Sequence, residues 1–279
     1  MTSTVRGVIF MRGISTHYAR VLTIKNMIEL TERKLKILQA VITDFINNAE
    51  PVGSRTLARI LDMNISPATI RNEMADLEEM GYLYHPHTSS GRVPSDKAYR
   101  LYVNNMMDRY ELEQSEKQRI KRELRAHMTE LEKTVLHATE LLSEMTNLTS
   151  FASLEDMRDI SLFLQGMTRI FAHPEYGKLE NARTFLEMVD DRKRLASELA
   201  AREEGLSITI GSENSERIVP GSTIISATYQ VDGRTVGKLG VIGPTRMKYS
   251  EITSVIDYMS KNLDRAFKML EGGNIDTDD

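Results

Sequence analysis

The sequence predicts an α+β protein: an N-terminal winged helix-turn-helix, a long connecting helix, and a C-terminal domain of mixed helices and strands. The winged helix is read from element order. Three apolar periodic stretches with helix caps lie within residues 31–80, and a short hairpin pattern follows at 82–94. The connecting helix is read from a heptad, and the C-terminal domain from three β-rich runs before a closing amphipathic helix.

Helix one opens at Thr31, a residue type that caps helix N-termini. Leu30 and Leu35 stand at the spacing of a hydrophobic staple. Leu35, Leu38, Ile42 and Phe45 recur at helical spacing, and the helix should end near Asn47–Asn48, ahead of Pro51. Ser54 is expected to cap a short second helix with Leu57, Ile60 and Leu61 inward, and Asp62 to Asn64 to turn tightly. Ser66 caps the third helix, with Pro67 at its first position and Gly81 as its left-handed terminator.

On a helical wheel, Ile70, Met74 and Leu77 share one face of this third helix. The opposite side carries Ala68, Asn72, Ala75 and Glu79, flanked by Thr69, Asp76 and Arg71. Asn can pair with an adenine edge, Arg with guanine, and Thr or Ala can touch a thymine methyl. The first two turns therefore suit base reading, although four acids (Glu73, Asp76, Glu78, Glu79) fall within seven residues. Glu78 and Glu79 belong to the far end and should lie outside the groove. Asp76 should pair with a local base.

The DNA-facing residues expected from this pattern are Ser54, Arg55 and Thr56 at the start of helix two, then Ser66, Ala68, Thr69, Arg71 and Asn72. The wing adds His87, Thr88, Ser89, Ser90, Gly91 and Arg92. Arg92, Lys97 and Arg100 supply its positive charge.

Leu124, Met128, Leu131, Val135, Ala138, Leu142 and Met145 repeat at alternating spacings of four and three within a helix expected over 112–148. Such a seam packs either on its own domain or on a second copy. The dimer reading assigns it to Leu124, Met128, Leu131, Val135, Leu142 and Met145. FASLEDMRD then breaks the pattern and marks a boundary. The expected organisation is an extension at 1–26, a winged helix at 27–105, a connecting or dimerising helix at 106–150 and a regulatory domain at 151–279. Strands are expected at 206–211 and 222–243, with a hairpin turn at Asp232-Gly233, and a final helix at 250–270.

Composition excludes several function classes. The absence of cysteine removes disulfides, thiol catalysis and Cys-based zinc sites. No apolar run approaches the roughly 18 residues that a membrane span needs, and the lack of cysteine suits a reducing cytoplasm, the expected location. His85 and His87 lack a third metal ligand at suitable spacing, and no cofactor is expected. Gly237, Gly240 and Gly243 lack phosphate-loop spacing and read as close strand packing. No arrangement suits acid/base or nucleophilic catalysis, so the chain reads as a non-enzyme. Charge is unhelpful: residues 27–105 hold nine Lys+Arg against ten Asp+Glu, and the acid excess lies after residue 105.

The segments LTERKLKILQAVITDFINNAEPVGSRTLA, SPATIRNEMADLEEMGYL and PHTSSGRVPSDKAYRLYV resemble the heat-inducible transcription repressor HrcA family. GMTRIFAHPEY (166–176) and GVIGPTRMKYSEI resemble its later motifs, so the likeness spans nearly all of 30–270. The resemblance implies a bacterial homodimeric repressor. It would bind an inverted-repeat operator, CIRCE, ahead of chaperone genes, with the chaperonin GroEL supporting its active form. It also implies a GAF-like domain carrying an inserted dimerisation segment. Here only about ten residues join LLSEMTNLT (141–149) to ISLFLQGM (160–167), so that segment is expected to be missing and the sheet thin, with three clear strands. Two alternatives remain: a ligand-sensing winged-helix regulator, and an adaptor that has lost repression.

Overall fold

The computed structural model describes residues 30–61, 65–87, 90–126, 131–155, 160–177, 179–214, 221–231 and 234–270. The extension at 1–26, the turn at Asp62 to Asn64 and the acidic tail after Gly272 lie outside these residues.

The head begins with α1 (Glu32–Asn48), whose N-cap Thr31 accepts a hydrogen bond from the Lys34 amide at 3.3 Å. It continues with α2 (Ser54–Ile60) and α3 (Pro67–Glu79). Two short strands, β1 (Leu83–Tyr84) and β2 (Val93–Pro94), pair antiparallel, and α4 (Asp96–Asn105) follows. This is the expected winged helix. Ile37, Leu38, Val41, Ile42, Leu57, Ile70, Met74 and Leu77 form its core. Two details differ. Ser54 is the first residue inside α2 rather than its cap, because the Gly53 carbonyl takes that place and receives the amides of Thr56 and Leu57. Ile60 points outward, 53% exposed, so the inner face of α2 is Leu57 with Leu61.

The expected single helix over 112–148 is two helices, α5 (Gln114–Ala126) and α6 (Leu131–Thr146). They lie side by side, tied by an ion pair from Arg119 to Glu144 at 2.8 Å. The heptad seam does not form a free stripe. Leu124, Val135, Ala138 and Leu142 are buried in the same core as Ile256, Met259 and Leu263. Leu131 is 36% exposed, Met145 is partly buried, and Met128 lies outside the described residues. A heptad stripe looks alike whether it meets a second copy or its own sheet. Here the body takes it up, leaving Leu124, Val135 and Leu142 nothing to offer a partner.

Among the described residues the body sheet has five strands rather than three: β3 (Thr149–Glu155), β4 (Ile160–Gln165), β5 (Leu206–Ile210), β6 (Ser222–Val231) and β7 (Arg234–Pro244). All neighbours are antiparallel, in the order β4-β3-β7-β6-β5. The boundary expected at 150 therefore falls inside β3, next to the sheet's central strand. The turn expected at Asp232-Gly233 lies outside the described residues, between the paired Val231 and Arg234.

Both sheet faces are covered. Ala152, Ile225 and Val241 face α6 and the last helix, α9 (Tyr249–Leu270), whereas the adjacent Phe151, Ile224 and Ile242 face the other way. There they meet α7 (Leu179–Asp190) and α8 (Arg192–Ala200) through Phe185, Met188, Leu195 and Leu199. A Cβ on Gly237 or Gly240 would strike a neighbouring strand's carbonyl, Ser153 or Ile225 respectively, and one on Gly243 would meet Leu148. The glycine series is strand packing, as expected. This sheet-and-helix body is the shape that the resemblance implied as GAF-like.

The head is docked on the body through α1 and α4. Arg100 forms an ion pair with Glu213 and donates to the Ile208 carbonyl at 2.7 Å. The Ser212 amide donates to Asp96 at 2.9 Å, and Arg246 donates to the Ile46 carbonyl at 3.0 Å. Tyr99 and Tyr249 meet with ring centroids 5.9 Å apart. No helix among the described residues is long and apolar enough to cross a membrane.

One stability prediction arises in the head. Glu73 is almost fully buried on α3, with the Lys34 ammonium 2.8 Å away and Arg33 also paired to it. The hydrogen bond from Lys34 holds its carboxyl below the ordinary value of 4.5, against the opposing effect of burial. A lowered folded pKa means this contribution is present above 4.5 and is lost as pH falls through the folded value. Glu73→Gln should cost about 1–3 kcal/mol at neutral pH in urea unfolding, and should flatten the stability slope below pH 5. An unchanged midpoint would mean the pair is neutral.

Candidate nucleic-acid interface

The outward face of α3 is built by its own cap and core. Ser66 accepts the Thr69 amide at 3.1 Å, and its hydroxyl lies 3.0 Å from that of Thr69. Ile70, Met74 and Leu77 are at most 1% exposed, which sets the rotation of the helix. Ser66, Ala68, Arg71, Asn72 and Ala75 are then exposed and Thr69 is half-buried. The helix ends in a left-handed Gly81 (φ 77°), with the Tyr82 amide reaching back to the Leu77 carbonyl at 2.9 Å.

The acids of this helix are mostly consumed within the head. Asp76 pairs with Lys34 at 2.8 Å, as the sequence suggested, and Glu73 shares that lysine. Glu78 is half-buried between two partners, His85 Nδ1 at 2.6 Å and Arg92 Nε at 3.0 Å. Burial would raise its carboxyl, but the hydrogen bonds from His85 and Arg92 outweigh this and hold it below the ordinary carboxylate value. Among the four, Glu79 alone has no charged partner among the described residues. Conversely, Arg55, Arg59 and Arg71 are exposed, and no carboxylate of the described residues pairs with them. The interface therefore presents free cations and Asn72, while three of the four acids are paired with cations of the head: Glu73 buried, Glu78 half-buried and Asp76 exposed. This is how an acidic helix can face a polyanion.

The wing differs from expectation in its charges. Arg92 is only 13% exposed and is held on Glu78, while its backbone bridges Val52 through hydrogen bonds of 2.9 and 3.0 Å. Lys97 donates to the Met80 carbonyl at 2.8 Å and lies over the Tyr82 ring at 4.2 Å. Arg100 is spent on the body. So the three cations assigned to the wing are engaged within the protein, Arg92 by Glu78, Lys97 by the Met80 carbonyl and Arg100 by Glu213. Gly91 packs on the backbone of Pro51 and Val52, where a Cβ would strike both, and this accounts for the glycine. At the tip, His87 is exposed and Ser90 closes the turn by donating to the His87 carbonyl at 2.7 Å. Thr88 and Ser89 lie outside the described residues. At the start of α2, Ser54 is buried, Arg55 exposed and Thr56 half-buried.

Sequence reasoning missed two features. Arg59, one turn after Arg55, is exposed with the side chain folded back on the Arg55 carbonyl at 3.4 Å; the i, i+4 spacing could have revealed it. The Glu78–His85–Arg92 cluster had no local signal, because its members are up to 14 residues apart. His85 meets Glu78 rather than a metal-ligand set, and no group of three potential metal ligands occurs among the described residues.

A cleft of about 440 Å³ lies between Ile46 of the head and Leu148, Arg246 and Val255 of the body. Its charged groups are already paired, Arg246 with Glu175 at 3.0 Å and Lys248 with Glu251 at 3.1 Å. Among the described residues lining it, both cations thus have a carboxylate partner.

A compact winged helix with an exposed reading helix, carried on an α/β body, defines the class of winged-helix regulators. Comparison with known proteins narrows it. Residues 29–108 match the family "Winged helix-turn-helix transcription repressor, HrcA DNA-binding", and residues 95–253 match "HrcA protein C terminal domain". The chain belongs to the HrcA family of heat-inducible transcription repressors, a family of regulators rather than enzymes. It is 32% identical to the heat-inducible transcription repressor HrcA of Clostridioides difficile (strain 630) over 337 positions, covering 85% of this chain and 99% of that protein. It is 34% identical to that of Clostridium acetobutylicum over 339 positions, covering 85% and 98%. A crystal structure described as a hypothetical protein shares the fold, with TM-score 0.70, 20% identity and coverage of 87% and 99%.

The first alignment also measures the shortening. Eighty-five per cent of 279 residues is about 237, which leaves about 100 of 337 aligned positions without a residue of this chain. Between 149 and 160, where the resemblance led a missing segment to be expected, β3 and β4 pair directly from Ser150↔Gln165 to Glu155↔Ile160.

Proposed function

We propose that this protein represses heat-shock chaperone genes by binding an inverted-repeat CIRCE operator as a homodimer in the bacterial cytoplasm, with GroEL supporting its active form. The carrying observation is the reading face of α3: Arg71 and Asn72 exposed near its start, with Glu73, Asp76 and Glu78 each paired with a cation of the head. Helix starts read bases in this motif, and the cations of α2 lie on the element that usually crosses the backbone. Two heads held one helical turn or a multiple apart are needed for an inverted repeat. Support for the operator and the chaperonin comes from family membership.

The test is a salt-titrated mobility shift on an inverted-repeat duplex and a scrambled duplex, with the mass of the free protein measured in solution. A repressor gives a steep salt slope and a preference of about 10³-fold or more for the repeat. Equal weak binding to both duplexes would favour the adaptor. Heat release acts, in this reading, through loss of the body's packing. Operator binding should then fade over the same temperatures as the body's unfolding and return with chaperonin. Binding that persists through that unfolding would exclude the mechanism.

A further inference from the structure

We propose that Glu78 is the positioning residue of the wing: its carboxylate clasps both strands of the hairpin and so supports DNA binding despite its negative charge. This rests on the DNA-reading function proposed above.

The base of the wing is anchored by buried Leu83 and Val93 and by the Arg92–Val52 bridge, but its own ladder is short. Its ladder consists of two residue pairs, Leu83↔Pro94 and Tyr84↔Val93. A hairpin this short is marginal unless it packs on something. Beyond the ladder the strands continue into His85 on one side and Arg92 on the other. Glu78 reaches across from the end of α3 to both, with one oxygen 2.6 Å from His85 Nδ1 and the other 3.0 Å from Arg92 Nε. Each carboxylate oxygen thus serves a different strand. Arg92 is also the residue that bridges Val52, so the clasp joins α3, both wing strands and the segment before α2. The tip, with His87 exposed and Ser90 half-buried, hangs from this junction.

The proposal reverses the sign expected from charge alone. Removing an acid from a DNA-binding head should strengthen binding to a polyanion through simple electrostatics. Removing the clasp should weaken specific binding, because the wing loses its fixed position and the duplex must order it. Glu79, the adjacent acid without a charged partner, supplies the control for charge.

The experiment uses the full chain and its Glu78→Ala, Glu78→Gln, Arg92→Lys and Glu79→Ala variants. Affinity for the inverted-repeat and scrambled duplexes is measured over a salt series. Amide exchange at Arg92, bonded to the Val52 carbonyl, is measured without DNA. Glu79→Ala should bind as tightly as the parent or slightly more so. Glu78→Ala should lose about tenfold on the specific duplex, with a shallower salt slope and faster exchange at Arg92. Glu78→Gln, which keeps the shape and one accepting oxygen, should recover part of the loss. Arg92→Lys keeps the charge and loses the Nε donor, so it should resemble Glu78→Ala. Glu78→Ala behaving like Glu79→Ala overturns the proposal, as does a loss confined to Arg92→Lys, which would make Arg92 a direct DNA contact. Should the parent not discriminate between the duplexes, the DNA-reading function fails instead, and the exchange rate at Arg92 still decides whether Glu78 orders the wing. A variant too unstable to bind is judged on the same exchange rate: protection at Arg92 equal to the parent's overturns the proposal.

Discussion

Asn72→Ala is expected to weaken binding to the specific operator by about 10- to 100-fold, the worth of one good bidentate base contact, while leaving binding to scrambled DNA unchanged. The expectation follows from rotation. Ile70, Met74 and Leu77 are fully sunk in the head's core, so the opposite line of α3 faces solvent, and Asn72 lies on it two turns or less from the capped start. Its exposure means the substitution removes no core contact, so the melting temperature should barely move. Glu79→Ala is the matched control one face-repeat further along. A drop in specificity for Glu79→Ala with none for Asn72→Ala would mean that the helix enters DNA by its other end. Mobility shifts on both duplexes at fixed salt decide between these outcomes.

Gly240→Val is expected to destabilise the body by about 3–5 kcal/mol and to abolish tight operator binding without touching the head. Gly240 lies in β7, the middle strand of the sheet, opposite Phe151 on one side and Ser226 on the other. A Cβ there meets the Ile225 carbonyl and the Phe151 ring, so backbone and an aromatic core residue would both have to shift. The heat-release mechanism proposed above requires that the body hold the two heads together. Losing the second head removes the effective-concentration gain, on the order of 10²–10⁴ in affinity. Circular dichroism melting, solution mass and a mobility shift on one preparation test the chain of consequences. Parent-like affinity from a protein whose body has melted would place dimerisation outside the body and would remove the basis of the heat-release mechanism.

The head was legible because its signals are local. Thr31 and Ser66 cap helices three residues away, Gly81 terminates α3, and the three-four spacing of Ile70, Met74 and Leu77 marks the inner face. The body was harder to read for a physical reason. β3, the polar-looking TSFASLE, is almost wholly buried because its polar groups find partners in the fold: the Ser150 hydroxyl donates to the Thr139 carbonyl at 2.6 Å, and the Ser153 hydroxyl accepts the Lys238 amide at 3.0 Å. A strand covered on both faces does not alternate apolar with polar, so FASLED reads as a break in the pattern. The heptad of 124–145 misled in the opposite direction, since its periodicity is real but its partner is the chain's own sheet and α9.

The third helix carries the clearest division. The sequence by itself determined its start, its end, its buried face and therefore which side chains, Arg71 and Asn72 among them, look outward. Helical periodicity and capping act within a few residues and need nothing else. Only the tertiary structure decided what became of its acids and of the wing's cations. Lys34 answers Glu73 and Asp76 from 39 and 42 positions earlier, Arg92 answers Glu78 from 14 positions later, and Arg100 leaves the wing for Glu213, 113 positions on. Ion pairs form between groups that the folded chain brings within a few ångströms, whatever their separation along it. For that reason the net charge of this head said little about DNA, and the location of its unpaired charge says more.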